Sequence, residues 1–477
     1  MSDRDVQPFR RVVRIASLLV ALGLAAWAIS DDSLVGGGPG FGGTQAAILA
    51  LGVGVAASCL MPMVWNARVL ALLVSVGLVV VFAELALQTL LAPRYKSENQ
   101  FDREALYRPI PGAVREQQRE PINGGDRIRY RINSQGFRGD ELEPEPTSRI
   151  VVYGDSFTHA YYSELEHTFA VRLEHYLRGQ LGPGLEVVNA GVAGYGPDQE
   201  LVKMERELPE LRPDLVIAAI FAGNDFGDLV RNKLFRVDGE RGIVANPFTI
   251  APELVREMEV QRNESILKRV IRDAVQALLL RLGLREKPPS DVETMPRSER
   301  LEYFKAQHLR EYEEFVVQGD DQVRELAWDS YDADVSLTPN SDAARYKIAL
   351  MDGVLGRMQA AAERAGAPLV LVPIPHPLDL GEHETGEVDR AKYPDYTPRG
   401  LVAILERIAA RRGIPTVDLY SAFAAHGSES IYFRGFDDHW NDAGQDLAAR
   451  VVAEQLRAHG LLAPLAAKRA AAADPAP

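Results

Sequence analysis

The sequence predicts an α/β fold, a three-layer α/β/α sandwich on a mainly parallel sheet, preceded by N-terminal transmembrane helices and carrying a helical insertion. Three observations predict it. Short apolar runs rich in β-branched residues recur beyond residue 149, mostly separated by stretches of helical periodicity, the pattern of strands buried on both faces. Long uncharged apolar runs crowd into the first 95 residues. A charged, helix-prone segment containing Pro288-Pro289 interrupts the alternation between residues 237 and 340.

In chain order, Arg4, Arg10, Arg11 and Arg14 precede an apolar stretch from Ile15 to Ile29. This stretch reads either as a retained membrane helix or as the apolar region of a signal peptide, and the retained helix is favoured. Ala46 to Trp65 and Val69 to Ala92 are each long enough, at about 1.5 Å per residue, to cross about 30 Å of hydrocarbon. Asn66, Ala67 and Arg68 are expected to form the turn between them. Positive charge gathers at the N-terminus and at Arg68, so both are expected in the cytoplasm and everything after Pro93 outside the cell membrane. Glu84, late in the third run, is expected to snorkel or to contact a neighbouring helix. Gly38, Gly40 and Gly43 match a dinucleotide-binding spacing, but no strand precedes them, and the loop reads as a connector.

Residues 1–95 are thus read as the membrane anchor and 96–148 as a linker with a short β segment. The α/β domain is expected in two parts over 149–236 and 341–465, the insertion over 237–340, and a disordered tail over 466–477. Strands are expected at Ile150 to Tyr153, Val187 to Asn189, Leu215 to Phe221, Leu369 to Ile374 and Thr416 to Leu419. Within the insertion, Ile266, Leu267, Val270, Ile271, Ala274, Val275, Leu278 and Leu282 follow helical spacing among Lys268, Arg269, Arg272 and Arg281. Such a helix suits a membrane surface, although packing on its own domain is the favoured reading.

The chain has 477 residues and a formal charge of −14, which disfavours nucleic acid as a partner. A single cysteine, Cys59, excludes an intrachain disulfide and cysteine-built zinc sites. His376, Asp379 and His383 match no common metal spacing, and neither metal nor cofactor is expected.

Four elements carry chemistry. The first strand stops at Gly154-Asp155-Ser156, which puts a serine at the carboxyl edge of the sheet, where open α/β sheets bind ligands. The second ends in Asn189-Ala-Gly191-Val-Ala-Gly194 and the third in Gly223-Asn224-Asp225, supplying glycines for close backbone approach and a neutral side-chain donor. Near the C-terminus stands Phe436-Asp437-Asp438-His439-Trp440-Asn441, a histidine with nearby carboxylates. Each alone also reads as an ordinary turn or cap.

In this order the four elements resemble the SGNH (GDSL-type) hydrolase superfamily, with a flavodoxin-like sheet, and Asn133-Ser-Gln-Gly-Phe-Arg-Gly139 is similar to its membrane-anchored bacterial members. The resemblance implies Ser156 as nucleophile, Gly194 and Asn224 with the Ser156 N–H as oxyanion hole, and His439 as base. Most members place the aspartate three residues before the histidine, but Phe436 stands there, so Asp437 is assigned the role. Asp438, adjacent to His439, would need an unfavourable backward reach, and Asp155 is expected to brace the nucleophile's turn. His159 and His376 are pocket-lining candidates. The implied activity is a membrane-anchored, externally facing serine esterase acting on an O-acyl ester of a glycan, lipid or small molecule. Asp-x-His-Trp resembles another branch, the periplasmic polysaccharide O-acetyltransferases, which makes acetyl transfer to an exported polysaccharide the alternative. A non-catalytic envelope scaffold is the third reading.

Overall fold

The computed structural model describes residues 3–30, 41–239, 242–282, 284, 291–324, 326 and 331–473. The glycine loop before Phe41, Pro288-Pro289 and residues 474–477 of the tail lie outside them. In chain order the elements are α1 (Asp3–Ile29), α2 (Gly43–Ser58), α3 (Met63–Tyr95), β1 (Asn99–Asp102), β2 (Leu106–Pro109), β3 (Val114–Gln118), β4 (Arg127–Arg131), β5 (Ser148–Gly154), α4 (Ser156–His159), α5 (Phe169–Leu181), β6 (Leu185–Asn189), α6 (Pro197–Leu211), β7 (Leu215–Phe221) and α7 (Asp225–Asn232). There follow β8 (Phe235–Asp238), β9 (Gly242–Ala245), β10 (Thr249–Ile250), α8 (Pro252–Asn263), α9 (Ile266–Arg281), α10 (Asp291–Thr294), α11 (Arg297–Tyr312), β11 (Gln322–Val323), α12 (Ala333–Leu337) and α13 (Asp342–Arg364). The chain closes with β12 (Leu369–Ile374), α14 (Gly400–Arg412), α15 (Leu419–His426), α16 (Ser428–Ile431), α17 (Asp442–Ala458) and α18 (Ala463–Ala473). Part of the segment expected to be a disordered tail is therefore helical.

Two compact units form, Met1–Lys96 with Glu259–Glu286, and Ser97–Met258 with Lys287–Pro477. The expected insertion is thereby divided, because α9 packs with the N-terminal helices while α11 and α12 belong to the second unit.

In the first unit, Gln7–Ile29 and Met63–Tyr95 are long and apolar enough to cross a membrane. The turn between the second and third apolar runs falls at Cys59 to Pro62 rather than at Asn66 to Arg68. Pro62 takes the N-cap of α3 with ψ 142°, outside the helical region, so the earlier helix cannot run through it. α2 is left with 16 residues, about 24 Å, short of a full span. Asn66 becomes a buried helical residue whose Nδ2 donates to Ser58 Oγ at 2.7 Å and Ser17 Oγ at 3.2 Å, tying the three helices together.

The second unit is built on a parallel sheet of order β12-β7-β5-β6. Alternation divides each strand between two cores. Val151, Tyr153, Val216, Ala218 and Leu371 face α6, α13 and α14, whereas Ile150, Val152, Ile217, Val370 and Val372 face α5, α15 and α17. Helices thus cover both faces, which is why the strands read as continuous apolar runs. The expected fifth strand shrinks to one bridge, Leu371 to Thr416, since Asp418 caps α15 at once by accepting from Ser421 N. β1 pairs with β2 and β3 with β4, both antiparallel.

A buried charge cluster holds the rear of β7's loop. Lys347 Nζ, fully buried, lies 2.9 Å from Asp334 Oδ1, 3.3 Å from Asp332 Oδ1 and 2.9 Å from His308 Nδ1. Asp332 Oδ2 in turn accepts from Phe226 N at 2.9 Å and Gly227 N at 3.1 Å. Removing the ammonium leaves two buried carboxylates uncompensated. Lys347→Met is expected to cost about 3–5 kcal/mol, read from urea unfolding followed by tryptophan fluorescence. Changing Asp332 and Asp334 to Asn in the same variant is expected to recover part of that loss.

Candidate active site

Ser156, Gly194, Asn224 and His376 follow β5, β6, β7 and β12, four neighbouring strands of a parallel sheet, so their loops share its carboxyl edge. The β5 turn leaves no room for a side chain at Gly154, where a Cβ would collide with Thr158 and stand 3.0 Å from the Ala219 carbonyl. Asp155 braces this turn by accepting from Phe157 N at 2.9 Å. Ser156 then opens α4 and is 7% exposed.

The loop after β6 is tied to the same turn. Asn189 Nδ2 donates to the Thr158 carbonyl at 2.8 Å, and a Cβ at Gly191 would stand 2.6 Å from His159 N. Gly194 adopts φ +76°, a conformation that favours glycine. After β7, the half-buried Asn224 caps α7, its carbonyl accepting from Gly227 N and Asp228 N. The Asp332 carboxylate accepts from Phe226 N and Gly227 N, and Asp332 N donates to the Gly223 carbonyl.

His439 arrives from the far end of the chain. Its Nε2 lies 2.7 Å from Ser156 Oγ and 3.3 Å from Tyr161 Oη, and its Nδ1 lies 2.8 Å from Asp437 Oδ1. That carboxylate oxygen also accepts from His439 N at 3.0 Å, so Asp-x-His closes an Asx turn, which lets the shorter spacing work. Phe157 stacks on the imidazole with centroids 5.0 Å apart, and Trp440 packs edge-on against Phe157. Asn441 caps α17 through Ala443 N and Gly444 N and donates to the Ser430 and Tyr432 carbonyls, fixing both sides of the loop.

Asp438 approaches where the sequence argued against it: Oδ1 lies 3.4 Å from His439 Nδ1 and Oδ2 lies 3.6 Å from His376 Nε2. Burial raises the Asp438 carboxyl, but the neighbouring imidazoles outweigh it and hold it below the usual range. Burial alone would lower His439. The Asp437 hydrogen bond and the charges of Asp437, Asp438 and Asp155 reverse this and raise it to about 9. Asp155 is itself pushed up to about 7, chiefly by burial.

The two pocket candidates differ. His376, fully buried and stacked on Phe221, accepts from Leu378 N at Nδ1 and so joins the site through Asp438. His159 is 2% exposed, packed edge-on against Tyr130 with Nε2 3.8 Å from Glu98, and burial pushes its pKa well down. It is a buried residue at the end of α4, packed against the β1 to β4 segment. Sequence reasoning missed Tyr161, Asp332 and Lys347. Only Tyr161 had a local signal, its place five residues after the serine.

Two groups among the described residues bring imidazole and carboxylate atoms within 4.8 Å of one another, His308-Asp332-Asp334 and Asp437-Asp438-His439. The Lys347 ammonium already lies among the first. The second is the histidine site itself.

Residues 331–476 match the family model described as "SGNH hydrolase-like domain, acetyltransferase AlgX". The matched stretch contains Asp437 and His439 and begins after Ser156, Gly194 and Asn224. No curated protein matches the chain. Similar solved structures include a lipase/acylhydrolase from Enterococcus faecalis, 11% identical over 65% of this chain and 96% of that one, TM-score 0.30. An acetylxylan esterase from Geobacillus stearothermophilus is likewise 11% identical, over 66% of this chain and 95% of that one, TM-score 0.33. The match to an SGNH hydrolase-like family model covers residues 331–476, while the serine, glycine and asparagine follow three neighbouring strands of one parallel sheet and His439 meets the serine from the loop before α17.

Proposed function

We propose that this protein is a membrane-anchored serine acyl-ester enzyme working on the outer side of the cell membrane. The observation that carries the proposal is the continuous relay Ser156 Oγ, His439 Nε2, His439 Nδ1, Asp437 Oδ1, with contacts of 2.7 and 2.8 Å. His439 Nε2 takes the serine proton as Oγ bonds to the acyl carbon, and Asp437 holds the resulting imidazolium. The oxyanion is met by the Ser156 and Gly194 N–H groups and the Asn224 side chain. The intermediate collapses as His439 returns the proton to the leaving alcohol oxygen. The acyl group stays on Ser156 until a second hydroxyl, deprotonated by the same base, attacks it.

When water supplies that hydroxyl, the enzyme is an esterase. When a sugar supplies it, the same residues make an O-acetyltransferase, a reading favoured by the family description and by the Asp-x-His-Trp form. This outward placement rests on the arginines in the first half of α1 and on three crossings, the middle one made by α2 together with the residues on either side of it, Phe41 to Met61.

Release of nitrophenol from para-nitrophenyl acetate by detergent-solubilised protein, with and without envelope glycans, discriminates the two. Release into water alone supports the esterase; release accelerated by one glycan that becomes acetylated supports the transferase. Ser156→Ala is expected to lower kcat by about 10⁴-fold or more, and Asn224→Ala by about 10²–10³-fold. Undiminished turnover in Ser156→Ala contradicts the proposal.

The pH profile follows from the charges around His439. Its raised pKa favours the imidazolium, which cannot accept the serine proton, and the base form accumulates as pH rises toward about 9. kcat/KM is therefore expected to climb from pH 7, reach half its plateau near pH 9 and level off only above it. Asp438→Asn is expected to move the midpoint to lower pH, and a midpoint at or below the ordinary histidine value contradicts this account.

A further inference from the structure

α9 carries two features that its sequence alone does not reconcile. Its N-terminus is bound by a carboxylate from an apolar helix. Glu84 Oε2 accepts from Ser265 Oγ at 2.7 Å and Leu267 N at 2.9 Å, while Oε1 accepts from Ile266 N at 3.0 Å. A negative charge against the first N–H groups of a helix satisfies donors that otherwise need water. Arg269 reaches the Tyr95 carbonyl at the end of α3 and pairs with Glu264 at 2.8 Å, and Ile266 is 1% exposed against this support. The root of α9 thus lies along the last 12 residues of α3, within about 16 Å of its end.

The second feature is the opposite face. Ile271, Val275, Leu278 and Leu282 fall within an arc of about 60° at about 100° per residue, roughly opposite Ile266, and are 54%, 49%, 55% and 60% exposed. Lys268 and Arg272 border the stripe on one side, paired with Glu264 at 3.4 and 3.1 Å while their side chains stay 72% and 49% exposed, and Arg281 borders it on the other. At 16 residues α9 is about 24 Å long, too short to span hydrocarbon. An apolar stripe edged by cations, rooted on the outer third of an apolar helix, fits one occupant.

We infer that α9 lies in the outer leaflet, its Ile271, Val275, Leu278 and Leu282 stripe among acyl chains and its basic edges at anionic headgroups, with Glu84 as the latch that fixes its depth. The inference rests on the membrane-anchored reading. It makes residues 259–286 part of the membrane-bound unit rather than of the catalytic one.

Full-length protein with Cys59→Ser is reconstituted in phosphatidylethanolamine and phosphatidylglycerol vesicles and bimane-labelled at Val80→Cys, Leu278→Cys or Gln276→Cys in turn. Val80 reports α3, and Gln276 points away from the stripe. Nitroxide-bearing lipids are expected to extinguish most of the fluorescence at positions 80 and 278 and to spare 276, which iodide in the water reaches. Glu84→Leu is expected to remove the quenching at 278 and leave that at 80. Quenching at 80 with iodide access at 278 overturns the inference while anchoring stands. Protection from both quenchers at 278, with disulfide cross-linking between two chains there, overturns it in favour of a second copy. Absence of lipid quenching at 80 overturns anchoring and this inference together.

Discussion

A 2.7 Å contact between His439 Nε2 and Ser156 Oγ joins loops 283 residues apart, and much of the second unit converges on this one contact. The serine is fixed by the sheet, because β5 is buried between β6 and β7 and its turn is too tight for a side chain at Gly154. The histidine is fixed by α17 and its entry loop. Gln445 on α17 accepts from Phe169 N at 2.7 Å and donates to the Phe157 carbonyl at 3.1 Å, so the helix after the histidine is bound to the residue after the serine. Phe157 completes the join by stacking on the imidazole.

Charge at the site is as constrained as its geometry. Asp155, Asp437 and Asp438 all act on one imidazole, and together they outweigh the burial that would neutralise it. This favours the imidazolium over the neutral imidazole. Asp438 also lies between His439 and the buried His376 of β12's loop, which helps hold the Asp438 carboxyl below the usual range. On the other flank, Asp332 and Lys347 hold residues 223–227 from segments more than 100 residues away, which gives the chain following the insertion a stake in the Asn224 position.

Much of this was legible in the sequence because it is local. Strands buried on both faces must be apolar throughout, so β5, β6, β7 and β12 announced themselves, and the residues at their ends were placed by chain order alone. The short Asp-x-His spacing was legible as a departure, and its reason, one carboxylate oxygen serving both the backbone and ring N–H groups, needed coordinates. Asp437 was preferred to Asp438 on spacing and does lie nearer His439 Nδ1, at 2.8 Å against 3.4 Å; that both side chains turn to the same side of a tight loop had no sequence signal. The anchor's turn was misplaced because apolar length outweighed Pro62, whose missing N–H and fixed φ mark the helix start. Lys347, His308 and Asp332 had no sequence signal, since a buried ion cluster assembled from distant segments has no period or motif.

The claim that Ser156 is the nucleophile activated by His439 is tested most directly by covalent capture. Folded protein is treated with a serine-directed fluorophosphonate at pH 9 and mapped by peptide mass spectrometry, beside His439→Asn. A single adduct on Ser156, formed far more slowly in the His439 variant, is the predicted result. An adduct on another residue, or labelling of Ser156 that does not depend on His439, would contradict it.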